Sequence, residues 1–219
     1  MSASGIVCPV AKSSVNSSPA SVDTLTPRGR KTRDALLDAA RRVFETVGFL
    51  DARVELIAQE AGVSYGTFYR YFESKDDVFG ELSNRLFEDM HRREPAAADL
   101  SPAERLIASN RSYYQAYRRN APLMAIIEQV ATFNEEFRLL RHEHRRQLID
   151  RTARAISRWQ SEGLVPTGLD PELAARAMSA MVDHTLYLWL IQGEDADEEA
   201  LLATLDQMCV GALHLDRAP

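Results

Sequence analysis

Side chains able to bond to phosphates and base edges are concentrated directly after Gly62. The apolar spacing before Gly62 predicts a short helix, and Gly62 itself supplies a tight turn. Ser64 is placed to cap a second short helix by accepting a free backbone N–H. This is the pattern of a helix-turn-helix, whose second helix enters the major groove of duplex DNA. The candidate contacts are Ser64, Tyr65, Gly66, Thr67, Tyr69, Arg70, Tyr71 and Lys75.

The first turn of that second helix would reach deepest into a groove. Gly66 lacks a side chain, so the backbone can approach a base or sugar closely; the alternative is a merely tolerated helical glycine, at about 1 kcal/mol relative to alanine. Tyr65 can contact a thymine methyl or a base edge, and Thr67 can bond to phosphate or base. Arg70 projects outward toward a guanine or a phosphate. We expect Tyr65 and Arg70 to set sequence preference.

A basic cluster, Arg28, Arg30, Lys31 and Arg33, precedes the first predicted helix. One interpretation is a flexible arm laid along phosphates or in the minor groove, and the alternative is a solvated charge run. The net charge of −6 does not exclude DNA as a ligand. Attraction to phosphate depends on one face of the protein, and acids nearly balance bases from Arg28 to Lys75.

The periodicity of apolar residues predicts an all-α protein of about nine helices, without strands or internal repeats. Gly48 is expected to end the first helix, and Pro122 to separate the fifth from the sixth. Residues 1–27 are expected to be a disordered tail, because they are poor in aromatic residues and rich in Ser and Pro. Residues 28–75 would form the helix-turn-helix domain, and residues 76–219 a larger helical domain for effector binding and dimerisation.

Several functional classes find no support in the sequence. Cys8 and Cys209 give neither metal spacing nor a disulfide framework, which suits a reducing cytoplasm. His142 and His144 resemble a metal pair, but residues two apart on a helix face away from each other. No apolar run approaches the roughly 18 residues of a membrane span, and the N-terminus lacks a signal-peptide pattern. We therefore expect no metal, no cofactor, no membrane partner and a cytoplasmic location.

The segment from Ala61 to Lys75 reads Ala-Gly-Val-Ser-x-Gly-Thr-Phe-Tyr-x-x-Phe-x-Ser-Lys. It resembles the signature of the tetracycline-repressor (TetR) family of bacterial transcriptional regulators. The resemblance covers about Lys31 to Phe79, and the remainder matches only in the number and arrangement of helices. It implies a three-helix DNA-binding domain, a helical effector domain and a homodimer built mainly by the last two helices. It also implies phosphate contacts from the Tyr69 and Tyr71 hydroxyls and from Lys75.

One departure from the family pattern affects the second helix. The family has a Ser/Thr pair at its start, which caps the helix and contacts phosphate. This chain has Ala52 and Arg53 there. We expect Asp51 to cap one residue early and Arg53 to replace the hydroxyl contact with a charged one.

Aromatic and methionine side chains of the second domain are spaced to line a mostly apolar cavity with a few polar groups. Such a lining suits a hydrophobic or aromatic small-molecule effector. The alternative for each residue is a solid core, since methionine is also common core filler. The candidates are Met90, Tyr113, Tyr114, Tyr117, Met124, Phe133, Met181, His184, Thr185 and Trp189.

The predicted seventh helix is rich in arginine. The simpler interpretation is a solvated face with acidic partners, and the alternative is a site for a phosphate-bearing effector such as an acyl-CoA. The arginines are Arg138, Arg141, Arg145, Arg146, Arg151, Arg154 and Arg158.

A single short helix discriminates poorly between DNA sequences. Two copies related by a two-fold axis read a near-palindromic operator in double-stranded DNA, with half-sites about 34 Å apart. Small residues beside Leu and Met in the last two helices suit close packing between subunits, with burial inside one subunit as the alternative. The interface candidates are Ala174, Ala177, Leu201, Leu205, Met208 and Ala212.

Three functional classes are therefore compared. The leading one is a ligand-responsive repressor, in which the fourth helix links the effector cavity to the recognition helices. The second is a DNA-bound regulator that recognises another protein and has no small-molecule effector, which a cavity filled by side chains would favour. The third is an enzyme, for which the sequence has no nucleophile motif, phosphate loop or metal spacing.

Overall fold

The computed structural model describes residues 25–92 and 100–215, and these residues form eight α-helices and no strand. The predicted all-α fold is confirmed. The expected disordered tail falls largely on residues 1–24, outside the described residues. The helices are α1 (Pro27–Asp51), α2 (Val54–Glu60), α3 (Tyr65–Tyr69), α4 (Lys75–His91), α5 (Pro102–Ala131), α6 (Glu135–Ser161), α7 (Pro171–Leu190) and α8 (Glu198–Ala212).

The predicted break at Pro122 is wrong, because Pro122 lies inside one continuous helix, α5, and the described residues therefore form eight helices where about nine were expected. A proline within a helix costs about 3 kcal/mol through a lost hydrogen bond and a steric clash. Buried residues on both sides, including Tyr117 and Ile126, hold the two halves of α5 against its neighbours. Packing of these halves outweighs the local preference for a break, as it commonly does in helices.

The start of α5 follows from its sequence. The Ser101 hydroxyl accepts from the Glu104 backbone N–H, and the Glu104 carboxylate accepts from that of Ser101, so both groups of a capping box are present. The fifth helix then packs against α1, α4, α6, α7 and α8. It therefore joins the first domain to the second.

The first helix begins earlier than predicted. Thr26 accepts a hydrogen bond from the Gly29 backbone, and Pro27 occupies the first turn, where its missing N–H is harmless. The basic cluster consequently lies on α1, so the expected flexible arm is wrong. Gly48 does interrupt α1, with φ 77° and ψ 172°, and the chain resumes a helical turn to Asp51.

No helix in the described parts of the chain is long and apolar enough to cross a membrane.

Candidate DNA-binding surface and effector cavity

The short helix α3 is fixed by a cap at its start and by a buried side chain. Ser64 caps it as predicted, accepting from the Thr67 backbone at 3.2 Å, and the two hydroxyls lie 2.8 Å apart. Gly62 adopts φ +67°, a backbone conformation in which a residue with a side chain would be strained. The Phe68 ring is fully buried and anchors the helix from below. The outer face of α3 is therefore held in place and points to solvent.

That outer face carries two tyrosines with an open space beside them. Tyr65 is 49% exposed and Tyr69 39%, and their hydroxyls lie 3.0 Å apart. This hydrogen bond raises the pKa of Tyr65, so its hydroxyl stays protonated and can donate. A Cβ added at Gly66 would meet no atom within 4 Å. Nothing inside the chain requires a glycine at this position, which fits close approach by an external surface.

The structure does not bring the side chains of Tyr71 and Lys75 to this face. Tyr71 is buried in the core. The Lys75 ammonium donates to the carbonyls of Phe49 (2.7 Å), Leu50 (3.2 Å) and Ala52 (3.1 Å), groups that the end of α1 leaves unpaired. It also lies 4.6 Å from the centre of the Phe49 ring. All three N–H donors of Lys75 are occupied, so its expected phosphate contact lacks a free donor.

The basic residues of the first domain fall into two groups. Arg28 and Lys31 are exposed on α1, and Arg53 is exposed directly before α2. Arg30 is exposed as well, but its guanidinium donates to the Leu25 carbonyl at 2.7 Å. Arg33 is buried, pairs with Glu81 of α4 and contacts the Phe72 ring. Arg70 is also exposed, at the end of α3. DNA contacts remain predictions for five exposed basic residues, Arg28, Arg30, Lys31, Arg53 and Arg70.

The second domain contains a buried network of charged groups. Arg141 of α6 donates to Glu128 of α5 and to Asp183 of α7, each at 2.7 Å. Asp183 also accepts from the Tyr113 hydroxyl at 2.7 Å and from Arg145 at 3.0 Å. The side chains of Arg141 and Asp183 are 9% and 13% exposed. The network joins α5, α6 and α7.

Both partners of the central pair remain charged. Burial opposes ionisation of Asp183, but Arg141 and the Tyr113 hydroxyl hold its pKa below the usual range. Burial likewise opposes the charge on Arg141, and Asp183 and Glu128 outweigh it and raise the pKa of this guanidinium. Burial and the Asp183 charge raise the pKa of Tyr113 well above 10. Tyr113 is therefore a permanent hydrogen-bond donor.

Two small cavities adjoin this network and share Tyr113, Leu148 and Ser179. The polar one, of about 10 Å³, is bounded by α4, α5, α6 and α7. The other, of about 50 Å³, is mostly apolar and extends to α8. The polar cavity is lined further by Phe87, Met90, His91, Arg141, His144, Arg145 and Asp183. The apolar cavity is lined further by Leu106, Ser109, Asn110, Thr152, Met178, Val182 and Cys209.

An open surface groove of about 190 Å³ lies on the other side of Arg141 and Arg145. Arg138 and His142 line it from α6, and Glu128 lines it from α5. Arg138 pairs with Glu135 in the preceding turn. The simpler interpretation of the arginine-rich helix, a solvated face with acidic partners, fits Arg138 and Arg146. It is wrong for Arg141, which is buried.

Of the predicted effector residues, Met90 and Tyr113 line these cavities and the other eight do not. Tyr114 stacks on Trp189 at 5.6 Å and donates to Glu198 at 2.6 Å. Phe133 is 52% exposed beside the first domain. The remaining five lie elsewhere: Tyr117 and Met124 in the core, Met181 and Thr185 half-buried, and His184 exposed.

The sequence contained a signal for the cavity residues that the prediction missed. Phe137, Arg141, His144 and Leu148 are spaced by four, three and four residues, so they occupy one helical face. Phe137 is buried and Leu148 packs against the core. Arg141 and His144 lie between them on this inward face and are therefore directed into the domain.

The dimer candidates are divided between surface and core. Ala177 and Ala212 are exposed, Met208 is 53% exposed, and Ala174 and Leu201 are half-buried. Leu205 is buried inside the chain. Exposed Leu173, with 64% of its surface accessible, adds to the apolar face of α7 and α8.

A glycine turn followed by a fixed, outward-facing polar helix defines a helix-turn-helix DNA-binding protein. The sequence model of the bacterial regulatory proteins, tetR family, matches residues 36–82. The chain is 25% identical over 187 residues to the fatty acid metabolism regulator protein of Bacillus subtilis, covering 82% of this chain and 94% of that protein. It is 24% identical over 177 residues to the transcriptional regulator TtgR of Pseudomonas putida, covering 77% and 84%.

Solved structures share this fold along most of the chain. The fatty acid degradation regulator FadR from Bacillus halodurans superposes with a TM-score of 0.68 at 26% identity, over 87% of this chain and 98% of that one. SmeT, the repressor of a Stenotrophomonas maltophilia multidrug efflux pump, gives a TM-score of 0.68 at 24% identity, over 84% and 91%. The family match is confined to residues 36–82, and along most of its length the chain is similar to transcriptional regulators rather than to enzymes.

Proposed function

We propose that this protein is a repressor that binds a near-palindromic operator as a homodimer and releases it when a hydrophobic effector enters the second domain. The observation that carries the proposal is the outer face of α3. Tyr65 and Tyr69 are exposed there beside the open space at Gly66, while buried Phe68 fixes the helix. Its ligand is chromosomal DNA, so we place the protein in the cytoplasm.

The apolar surface of α7 and α8 supports the homodimer. Leu173 and Ala177 are four residues apart and exposed, as are Met208 and Ala212. Residues at this spacing share a helical face, and exposed apolar residues on one face suit an interface. A two-fold interface would present two copies of α3 on the same side of the particle.

The effector that fits best is an acyl chain with an anionic head group, such as an acyl-CoA. Similar proteins are named as regulators of fatty acid metabolism and degradation. The larger cavity offers apolar walls from Leu106, Met178 and Val182. The groove outside Arg145 offers cations for a phosphate-bearing head.

The size of the cavity links effector binding to conformation. A space of about 50 Å³ holds a few water molecules, whereas drug-sized ligands occupy about 300–1,000 Å³. An acyl chain can therefore enter only if the surrounding helices separate. Phe87, Met90 and His91 of α4 border the polar cavity, and α4 begins at Lys75, close to α3. We infer that a shift of α4 alters the separation of the two recognition helices.

Thermodynamic linkage between effector and operator binding makes operator affinity the quantity to measure. An effector that favours the expanded conformation lowers operator affinity by the factor by which operator binding lowers effector affinity. Operator affinity would be measured by fluorescence anisotropy with and without a saturating long-chain acyl-CoA, using CoA as the control. We expect a fall of about tenfold or more, corresponding to roughly 1.4 kcal/mol. Saturating binding of the acyl-CoA without any change in operator affinity would refute the proposal.

The small cavity volume also favours a second candidate, a regulator that binds a protein partner and has no small-molecule effector. In that case the interior is a packed core. No acyl-CoA or fatty acid would raise the unfolding temperature of the protein, because no ligand binds the folded state. A clear rise in unfolding temperature with acyl-CoA, absent with CoA, would exclude this candidate.

A further inference from the structure

Helix α6 carries two buried side chains, one turn apart, that contact different parts of the molecule. Phe137 is 1% exposed, and the Arg141 side chain is 9% exposed. Residues four apart lie on the same face of a helix, about 6 Å apart along its axis. Phe137 contacts the DNA-binding domain, and Arg141 lies at the effector cavity.

The Phe137 ring packs edge-on against one aromatic ring of the first domain and one of α4. Its centre lies 4.9 Å from that of Phe79 on α4 and 6.0 Å from that of Phe49 on α1. Phe49 follows the bend at Gly48, and Phe49 and Phe79 also contact each other at 4.8 Å. Phe137 therefore contacts both helices that support the helix-turn-helix.

The segment containing Phe49 leads directly into α2. Lys75, the first residue of α4, holds the carbonyls of Phe49, Leu50 and Ala52. Helix α2 begins two residues after Ala52 and packs against α3. A displacement of the Phe49 ring would therefore move the start of α2, and with it the packed helix α3.

The Arg141 end of this helical turn lies at the wall of the cavity. Its guanidinium borders both the inner polar cavity and the outer groove. It is held by Glu128 and Asp183, and its Cζ lies 5.7 Å from the centre of the Phe87 ring. A buried guanidinium cannot lose its partners without a large penalty, so separation of α5 from α7 must move Arg141 with one of them.

We propose that α6 transmits effector binding to the DNA-binding domain, with Arg141 following the cavity walls and Phe137 positioning Phe49 and Phe79. No glycine or proline lies between Phe137 and Arg141, so this turn of helix moves as a unit. The inference rests on the proposed function and adds a direct route through α1 and α2 to the shift of α4.

The test compares Phe137→Leu with wild type in the full-length dimer. Leucine keeps an apolar side chain but removes the edge-on ring contacts. We expect the variant to bind operator and long-chain acyl-CoA separately, each within about threefold of wild type. The fall in operator affinity caused by acyl-CoA should shrink from about tenfold to about threefold or less.

Phe133→Leu is the matched control. Phe133 lies 6.5 Å from Phe49, at the edge of the same aromatic cluster, but is 52% exposed. The same substitution there should leave the response to acyl-CoA unchanged. Full coupling in Phe137→Leu, or equal loss in both variants, would overturn the assignment of Phe137.

Hydrogen exchange of the wild-type protein provides a test that does not depend on the variant folding. Saturating acyl-CoA should change amide protection in α6 and in residues 49–60 together. A change in α4 with none in residues 49–60 would overturn the inference while leaving the proposed function intact. If acyl-CoA does not alter wild-type operator affinity at all, the proposed function fails and the inference fails with it.

Discussion

Removing the charge of Asp183 tests the buried network most severely. In Asp183→Asn the shape of the side chain is kept, but the carboxylate that holds Arg141, Arg145 and Tyr113 is lost. The Arg141 guanidinium would stay buried with Glu128 as its remaining acidic partner. The new side-chain amide would also place an N–H₂ donor beside Tyr113, Arg141 and Arg145, which are themselves donors.

The magnitude follows from burial. Breaking a buried ion pair by neutralising one partner costs about 3–5 kcal/mol. Glu128 still pairs with Arg141, and Arg145 is 44% exposed and can be hydrated, so we expect the lower end, about 3 kcal/mol. Tyr113→Phe removes only one hydrogen bond to a charged group and should cost about 1.5–3 kcal/mol.

The free energy of unfolding would be measured by urea denaturation at one protomer concentration, because the stability of the proposed homodimer would depend on that concentration. Asp150→Asn, the same substitution at an exposed acid of α6, the helix that carries Arg141, is the control and should change stability by less than about 0.5 kcal/mol. A loss below about 1 kcal/mol for Asp183→Asn would show that Arg141 is not held as a buried ion pair in solution.

Three further predictions concern Lys75, Gly66 and His91. Lys75→Met should lower the free energy of unfolding by about 2 kcal/mol, because three charged hydrogen bonds are lost. A reduced salt dependence of operator binding at unchanged stability would instead identify Lys75 as a phosphate contact. Gly66→Ala should raise unfolding free energy by up to about 1 kcal/mol yet weaken operator binding, since the added Cβ meets no atom of the free protein; unchanged operator affinity would contradict the assigned role of Gly66. Burial, Arg151 and His144 lower the pKa of His91 from 6.5 to about 4. As the pH falls, the His91 imidazole therefore takes up a proton in the unfolded chain before it does so in the folded protein. The free energy of unfolding should consequently fall as the pH drops from 6.5 toward 4. His91→Gln should flatten this dependence in urea denaturation, and an unchanged slope would contradict the assigned pKa.

Local sequence signals predicted the features that local interactions determine. The Ser64 cap involves only residues within one helical turn, and the structure confirms it. Gly48 interrupts α1 by the same kind of local effect, although the helix resumes for one turn instead of ending there. The predicted break at Pro122 was wrong because the cost of a proline within a helix is local. The packing that outweighs this cost involves residues far apart in the sequence. The basic arm was wrong because the Thr26 cap and Pro27 start α1 before it.

The site was only partly predictable, for a related reason. Tyr65 and Tyr69 are four residues apart on α3, so they share one face of the helix, and the structure places that face in solvent beside buried Phe68. The partners of Lys75 lie 23 to 26 residues away along the chain, and the bond between Asp183 and Arg141 spans 42. Such pairs depend on how helices meet, which apolar periodicity within a helix does not specify.

Selection of duplex DNA from a random pool by the purified protein would show whether α3 reads DNA in two symmetric copies. At moderate salt we expect enrichment of a near-palindrome, with half-sites about one helical turn apart and bound by a dimer. Arg70→Gln should then relax the preference at one position in each half-site. Recovery of sequences without a shared motif, or binding by a monomer, would contradict the claim that α3 reads DNA in two symmetric copies.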